Sequence, residues 1–132
     1  MERTPFILLV EDEALIAIHL VEILEEAGLS THHSHSGSDA LAALISGGHD
    51  FCGVVTDIQL GNGPNGWEVA RKARELNPGI PTVYVSGDSA HEHTIHGVPE
   101  SVMIQKPFAP AQLVIAISTL LNAAPSTERP AN

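Results

Sequence analysis

One cysteine in 132 residues, Cys52, rules out an internal disulfide, so the fold must rest on apolar packing alone. Cys52 lies in an apolar run, which suits a buried thiol in a reducing compartment. Positive charge is equally scarce. Six Lys and Arg stand against sixteen Asp and Glu, a formal net charge of −10. Nucleic-acid domains cluster basic residues on one face, whereas these are scattered apart from Arg71, Lys72 and Arg74, so no direct nucleic-acid partner is expected. No stretch approaches the roughly 18 apolar residues of a membrane span, and only five apolar residues follow Met1–Pro5 before Glu11, too few for a signal peptide. The expectation is a cytoplasmic protein without a membrane partner.

What is present suffices for one domain. Apolar residues make up 43% of a chain of common domain size, enough for a single core. Runs at 6–10, 51–55, 82–85 and 102–104 are short, rich in β-branched residues and free of polar alternation, as in strands buried on both faces of a parallel sheet. Helical spacing fills the gaps. Ile16, Leu20, Ile23, Leu24 and Ala27 mark one helix, ended by Gly28. Ala40, Leu41, Leu44 and Ile45 mark a second, capped by Ser38 or Asp39 and closed by Gly47–Gly48. Val69, Ala73 and Leu76 mark a third, stopped by Asn77–Pro78–Gly79, and Leu113, Val114, Ile117, Leu120 and Leu121 a last one opened by Pro110. Residues 30–36 suit an edge strand. Between Asp88 and Pro99 little apolar periodicity remains, so a short helical turn or a mobile loop is expected. The pattern specifies an α/β fold, a doubly wound sheet of five parallel strands, over residues 1–122, with a disordered tail at 123–132.

Ligands of such sheets lie beyond the carboxyl ends of the strands. The polar residues expected there are Glu11 and Asp12 after the first run, Asp57 after the third strand, Ser86 and Gly87 after the fourth, and Lys106–Pro107–Phe108 after the fifth. An acidic pair, a lone Asp, a hydroxyl and a lysine in that order suit chemistry on an acyl phosphate. Each has a plainer reading alone: acids complementing a helix dipole, a turn Asp, a Ser–Gly turn, a surface lysine.

Taken jointly, these motifs resemble the receiver domain of two-component response regulators over residues 5–122. The resemblance implies the flavodoxin-like strand order 2-1-3-4-5. It implies that Asp57 is the phosphoacceptor for a sensor histidine kinase or histidine phosphotransfer protein. It further implies that Mg2+ is held by Asp12 directly, by Glu11 mainly through water, by Asp57, and by the Gln59 backbone carbonyl. Lys106 would pair with a phosphoryl oxygen, Pro107 would follow it in a cis peptide, and Ser86 would donate its hydroxyl. Magnesium suits a hard, oxygen-only donor set. The dication and lysine are also required by charge, because like charges about 4 Å apart cost about 4 kcal/mol at an effective dielectric near 20.

Departures from the family pattern are equally specific. Gly61 stands where a proline is usual four residues after the phosphoacceptor, and Gly66 falls one position late, which implies a longer, looser loop. Met103 replaces the aromatic residue usual three before the lysine, leaving Tyr84 as the nearby aromatic. The resemblance further implies that Gln59 and Asp88 flank the phosphoryl group and tune its hydrolysis.

Two other functions compete. An aspartyl-phosphate phosphatase would need an acid/base two residues after the nucleophile, where Gln59 cannot transfer protons. A flavin binder would need a hydroxyl- and glycine-rich first loop, where Glu11–Asp12–Glu13 repels phosphate. The reading is therefore a non-enzymatic phosphoacceptor switch, a monomer or weak dimer, with no output domain expected beside it. His33 and His35 share a strand face and could chelate, but with no acidic or Cys partner near them solvated histidines are expected, as for His32, His91, His93 and His96. Trp67 is expected to pack the start of the third helix.

Overall fold

The computed structural model describes residues 6–47 and 50–123. Five parallel strands, β1 (Phe6–Val10), β2 (Ser30–Ser34), β3 (Phe51–Asp57), β4 (Thr82–Ser86) and β5 (Val102–Gln105), form one sheet in the order β2-β1-β3-β4-β5. Helices α1 (Ala14–Glu26), α2 (Gly37–Gly47), α3 (Gly66–Leu76), the single turn α4 (His93–His96) and α5 (Pro110–Ala123) connect and follow them.

Alternation along β1 sorts the two layers. Ile7 and Leu9 of β1 point to a core shared with Leu20, Ile23 and Leu24 of α1 and with Leu113 and Ile117 of α5. Leu8 and Val10 face the opposite core, with Ala40 and Leu44 of α2 and Val69 and Ala73 of α3. A strand buried on both faces cannot alternate apolar with polar, hence the uninterrupted run Ile7–Val10.

Some sequence expectations shift. Ile45 and Leu76 are 67% and 48% exposed, because α2 and α3 each present a narrower apolar stripe to the sheet than their spacing suggested. The Ser36 hydroxyl, rather than Ser38 or Asp39, caps α2, accepting from the Asp39 N–H at 3.0 Å. Cys52 is only half-buried, and burial pushes its thiol above the ordinary range. The 88–99 segment is a 3-10 turn (Ala90–Glu92) followed by α4, which agrees with a short helical turn. Ala123 belongs to α5, and the rest of the expected tail, 124–132, lies outside the described residues.

The loop after β3 is not loose. Asn65 and Glu68 cap α3 reciprocally, each side chain accepting from the other's backbone N–H, and the Gly66 N–H donates to the Ile58 carbonyl at 2.8 Å. A Cβ on Gly66 would overlap the Asp57 carbonyl, and one on Gly37 would overlap that of Pro64. Two glycines thus let the 58–65 loop lie flat against α2 and the tip of β3, doing by close approach what a rigid proline would do by restricting φ. Gly66→Ala is expected to destabilise the fold by about 3 kcal/mol, the upper range for overpacking, because backbone cannot yield as a side chain can. Urea unfolding with an unchanged m value would measure it.

Candidate functional site

Register assembles the site. Val10 pairs with Thr56, Asp57 with Val85, and Ser86 with Gln105, so Glu11, Asp57, Ser86 and Lys106 occupy neighbouring positions along one rim of the sheet. The ladder continues into the rim, where the Glu11 N–H donates to the Ser34 carbonyl at 3.1 Å and the Lys106 N–H to the Ser86 carbonyl at 2.9 Å. Strands are spaced about 4.8 Å apart, so a group on β5 needs a long side chain to cross β4 and reach β3. Lysine supplies it. Lys106 Nζ lies 3.1 Å from Asp57 Oδ2 and 3.7 Å from Glu11 Oε1. The Lys106–Pro107 peptide is cis.

Glu11, Asp12 and Asp57 converge, each offering a carboxylate oxygen within 4.8 Å of the others. Asp57 Oδ1 accepts from the Ile58 N–H at 2.6 Å, and Glu11 Oε2 from the Glu13 N–H at 3.1 Å. Glu11 is only 1% exposed, and among the described residues its second oxygen, Oε1, has no hydrogen-bond partner. Such an orphan is costly unless something occupies the space it faces. Burial, with the charges of Asp57 and Asp12, pushes the Glu11 carboxyl up to about 7, against the Glu13 hydrogen bond and Lys106. Burial pulls Lys106 down, but the hydrogen bond and charge of Asp57 and the charges of Glu11 and Glu13 outweigh it, leaving the ammonium above its ordinary range. Three hard oxygen donors, one of them an orphan, and a single lysine fit a partly hydrated divalent cation such as Mg2+.

Ser86 is buried at the adjoining tip, where its hydroxyl oxygen accepts from the Ser89 N–H at 2.9 Å, leaving its own proton to donate. Gly87, with open space where a Cβ would stand, and Asp88 follow at the exposed lip. Gln59 is exposed beside Asp57, its N–H 3.4 Å from Asp57 Oδ1 and its amide nitrogen 3.4 Å from Ser89 Oγ.

Several contacts were not legible in the sequence. Tyr84 is fully buried, and its hydroxyl accepts from the Val98 N–H at 3.0 Å. Its ring lies 4.7 Å from that of Trp67, which is buried in the first turn of α3 as expected, and 5.6 Å from His93; Met103 packs the same cluster. The histidines are not simply solvated. His33 Nε2 lies 2.9 Å from the Glu11 carbonyl oxygen, and His35 has an acidic partner, Asp39, at 3.3 Å. His93 bonds Ser101 Oγ at 2.8 Å and is held below the ordinary imidazole range by burial, while His96 lies 5.7 Å from Trp67. These partners come from folding neighbours that spacing along one strand or turn cannot show.

An open parallel sheet that gathers its functional groups past the carboxyl ends of its strands belongs to the flavodoxin-like, doubly wound class. Within that class, residues 7–118 match the response regulator receiver domain, and the chain belongs to that family. A response regulator receiver protein from Sinorhizobium medicae WSM419 superimposes with a TM-score of 0.88 at 45% identity, covering 91% of this chain and 96% of that one. A receiver domain protein from Methanospirillum hungatei JF-1 gives 0.77 at 27% identity, covering 89% and 94%. The transcriptional regulatory protein CusR of Escherichia coli (strain K12) is 31% identical over 117 residues, which are 87% of this chain. The chain spans about half of that relative's length, 50%. Receiver domains typically use Mg2+ at an acidic pocket, and Glu11, Asp12 and Asp57 form one here. Among the described residues no helix is long and apolar enough to cross a membrane.

Two outcomes follow from this geometry. Because the folded-state pKa of Glu11 is raised from 4.5 to about 7, the folded state holds more protons than the unfolded chain between those values. Stability of the metal-free protein should therefore fall as pH rises through that window, by up to about 1.4 kcal/mol per unit, and Glu11→Gln should flatten the slope in denaturant titrations across pH. Tyr84→Phe should cost about 1–3 kcal/mol by the same assay, since the buried Val98 N–H loses its acceptor.

Proposed function

We propose that this receiver domain accepts a phosphoryl group on Asp57 from the phosphohistidine of a sensor histidine kinase or histidine phosphotransfer protein, and thereby switches its binding to a protein partner. The observation that carries the proposal is the Lys106 ammonium 3.1 Å from Asp57 Oδ2, on the rim where the orphaned oxygen of Glu11 lies. An Asp57 oxygen forms the new P–O bond as the donor's P–N bond breaks. The electron pair of that bond stays on the imidazole nitrogen, which takes up a proton.

Asp12, Asp57 and the Gln59 carbonyl would hold Mg2+ directly, and Glu11 through water. When bound, the ion neutralises carboxylate and phosphoryl charge. Lys106 is already aimed at Asp57 and would transfer its contact to a phosphoryl oxygen without crossing the sheet. Ser86, whose proton is free to donate, would meet another phosphoryl oxygen and draw the loop after β4 toward the site. Gln59 and Asp88 flank this position and would set the phosphoryl lifetime.

Receiver domains are generally signal transducers rather than enzymes. An aspartyl-phosphate phosphatase is disfavoured because Gln59 lies where that chemistry needs a carboxyl acid/base. The cytoplasm, where such kinases present their phosphohistidine, is the compartment this reading assigns. Incubation with a small acyl phosphate and Mg2+ should add one phosphoryl group by intact mass, and Asp57→Asn should add none. Undiminished labelling of Asp57→Asn would overturn the assignment.

A further inference from the structure

The site's geometry extends one residue beyond the acids and lysine, to the edge strand. Strand β2 runs parallel to β1, with Leu9 opposite His33 and Val10 opposite Ser34. The ladder's last bond runs from the Glu11 N–H to the Ser34 carbonyl, and there β2 ends. A continuing parallel strand would offer the next N–H to the Glu11 carbonyl. Instead the chain turns into α2, and the ring of His33 takes that place, with Nε2 2.9 Å from the Glu11 oxygen. A carbonyl only accepts, so the ring carries its proton on Nε2.

We infer that His33 is a positioning residue for the acidic pocket, fixing the Glu11–Asp12 peptide so that both carboxylates face the cation site; this rests on the Mg2+ site proposed above. The peptide it holds joins the two acids. Its carbonyl belongs to Glu11 and its nitrogen to Asp12; with the Glu11 N–H already held by Ser34, fixing that carbonyl fixes ψ at Glu11 and so where the Asp12 Cα stands beside the Glu11 carboxylate. Glu11 is pinned at three atoms: its N–H by Ser34, its carbonyl by His33, and Oε2 by the Glu13 N–H. Asp12, by contrast, is exposed, and among the described residues no hydrogen bond steers its side chain. The backbone that Asp12 shares with Glu11 therefore sets its direction. Residues that orient metal ligands commonly matter about as much as weak ligands themselves, at roughly 10–100-fold in affinity. Water can reach the exposed His33 and replace part of its bond, which places the expected effect at the lower end.

The test is calorimetric titration of Mg2+ into the unphosphorylated protein, for wild type, His33→Ala, His33→Gln and Asp57→Asn, with thermal melts of each in metal-free buffer. His33→Ala should bind Mg2+ about tenfold more weakly. His33→Gln, whose amide N–H can still donate to the carbonyl, should regain wild-type affinity. Equal affinity in wild type and His33→Ala would overturn the inference while leaving the Mg2+ site intact. It would also be overturned by an equal loss in the Ala and Gln variants accompanied by lowered melting, which would mark a merely structural histidine. Absence of Mg2+ uptake by the wild type, or full uptake by Asp57→Asn, would instead overturn the cation site itself.

Discussion

Three carboxylates share one end of the sheet with one lysine, and that imbalance shapes everything around them. Parallel pairing forces the crowding: once Val10 lies opposite Thr56, the residue after β1 must stand beside the end of β3. Burial then sharpens it, because Glu11 is almost wholly removed from water, with one oxygen that accepts no hydrogen bond among the described residues. A carboxyl in that setting either holds a proton or faces a cation. The burial and neighbouring carboxylates that push Glu11 up to about 7 would also favour a divalent ion when one is present. It would then admit a phosphoryl group, whose negative charge the acids alone would reject.

The rest of the fold serves to hold that unfavourable arrangement. Two apolar cores clamp β1 from opposite faces, so the acids cannot drift apart without disturbing the packing beneath them. Gly66 and Gly37 let the loop after Asp57 lie close against its neighbours, and a reciprocal cap starts α3 immediately after it. Behind Ser86, Tyr84 occupies the interior with Trp67 and Met103 and ties its hydroxyl to Val98. The family's usual aromatic position is filled by Met103, so the largest ring near the loop after β4 is fixed in the core rather than free at the surface. Motion coupled to phosphorylation would therefore run through the Ser86–Ser89 bond and the short 3-10 turn beyond it, where packing is sparse.

Most of this architecture was legible before any coordinates. Unbroken apolar runs such as Ile7–Val10, short and β-branched, fit strands buried on both faces, and the polar residues that end them mark the ligand edge of the sheet. The acids, Asp57 and Lys106 could be read for the same reason: their chemistry depends on order along the chain, which a parallel sheet preserves in space. What could not be read depends on contacts between elements distant in sequence. Ile45 and Leu76 fit a helical stripe yet face solvent, because stripe width is set by the neighbouring surface rather than by periodicity. The loop after Asp57 looked loose because Gly61 stands where a proline is usual, but the glycines that replace rigidity with close approach gain meaning only beside Pro64 and the Asp57 carbonyl. His33 looked like one of several surface histidines until β1 and β2 were placed in register.

Cation binding at this rim turns on a Glu11 carboxyl that burial pushes up to about 7 and that a divalent ion would bring back down. Carboxyl-selective NMR titration of Glu11 with and without Mg2+ measures this directly. A midpoint near 7 in metal-free protein, falling well below that when Mg2+ is added, is the predicted result. An ordinary carboxylate midpoint near 4.5 that Mg2+ leaves unmoved would contradict it.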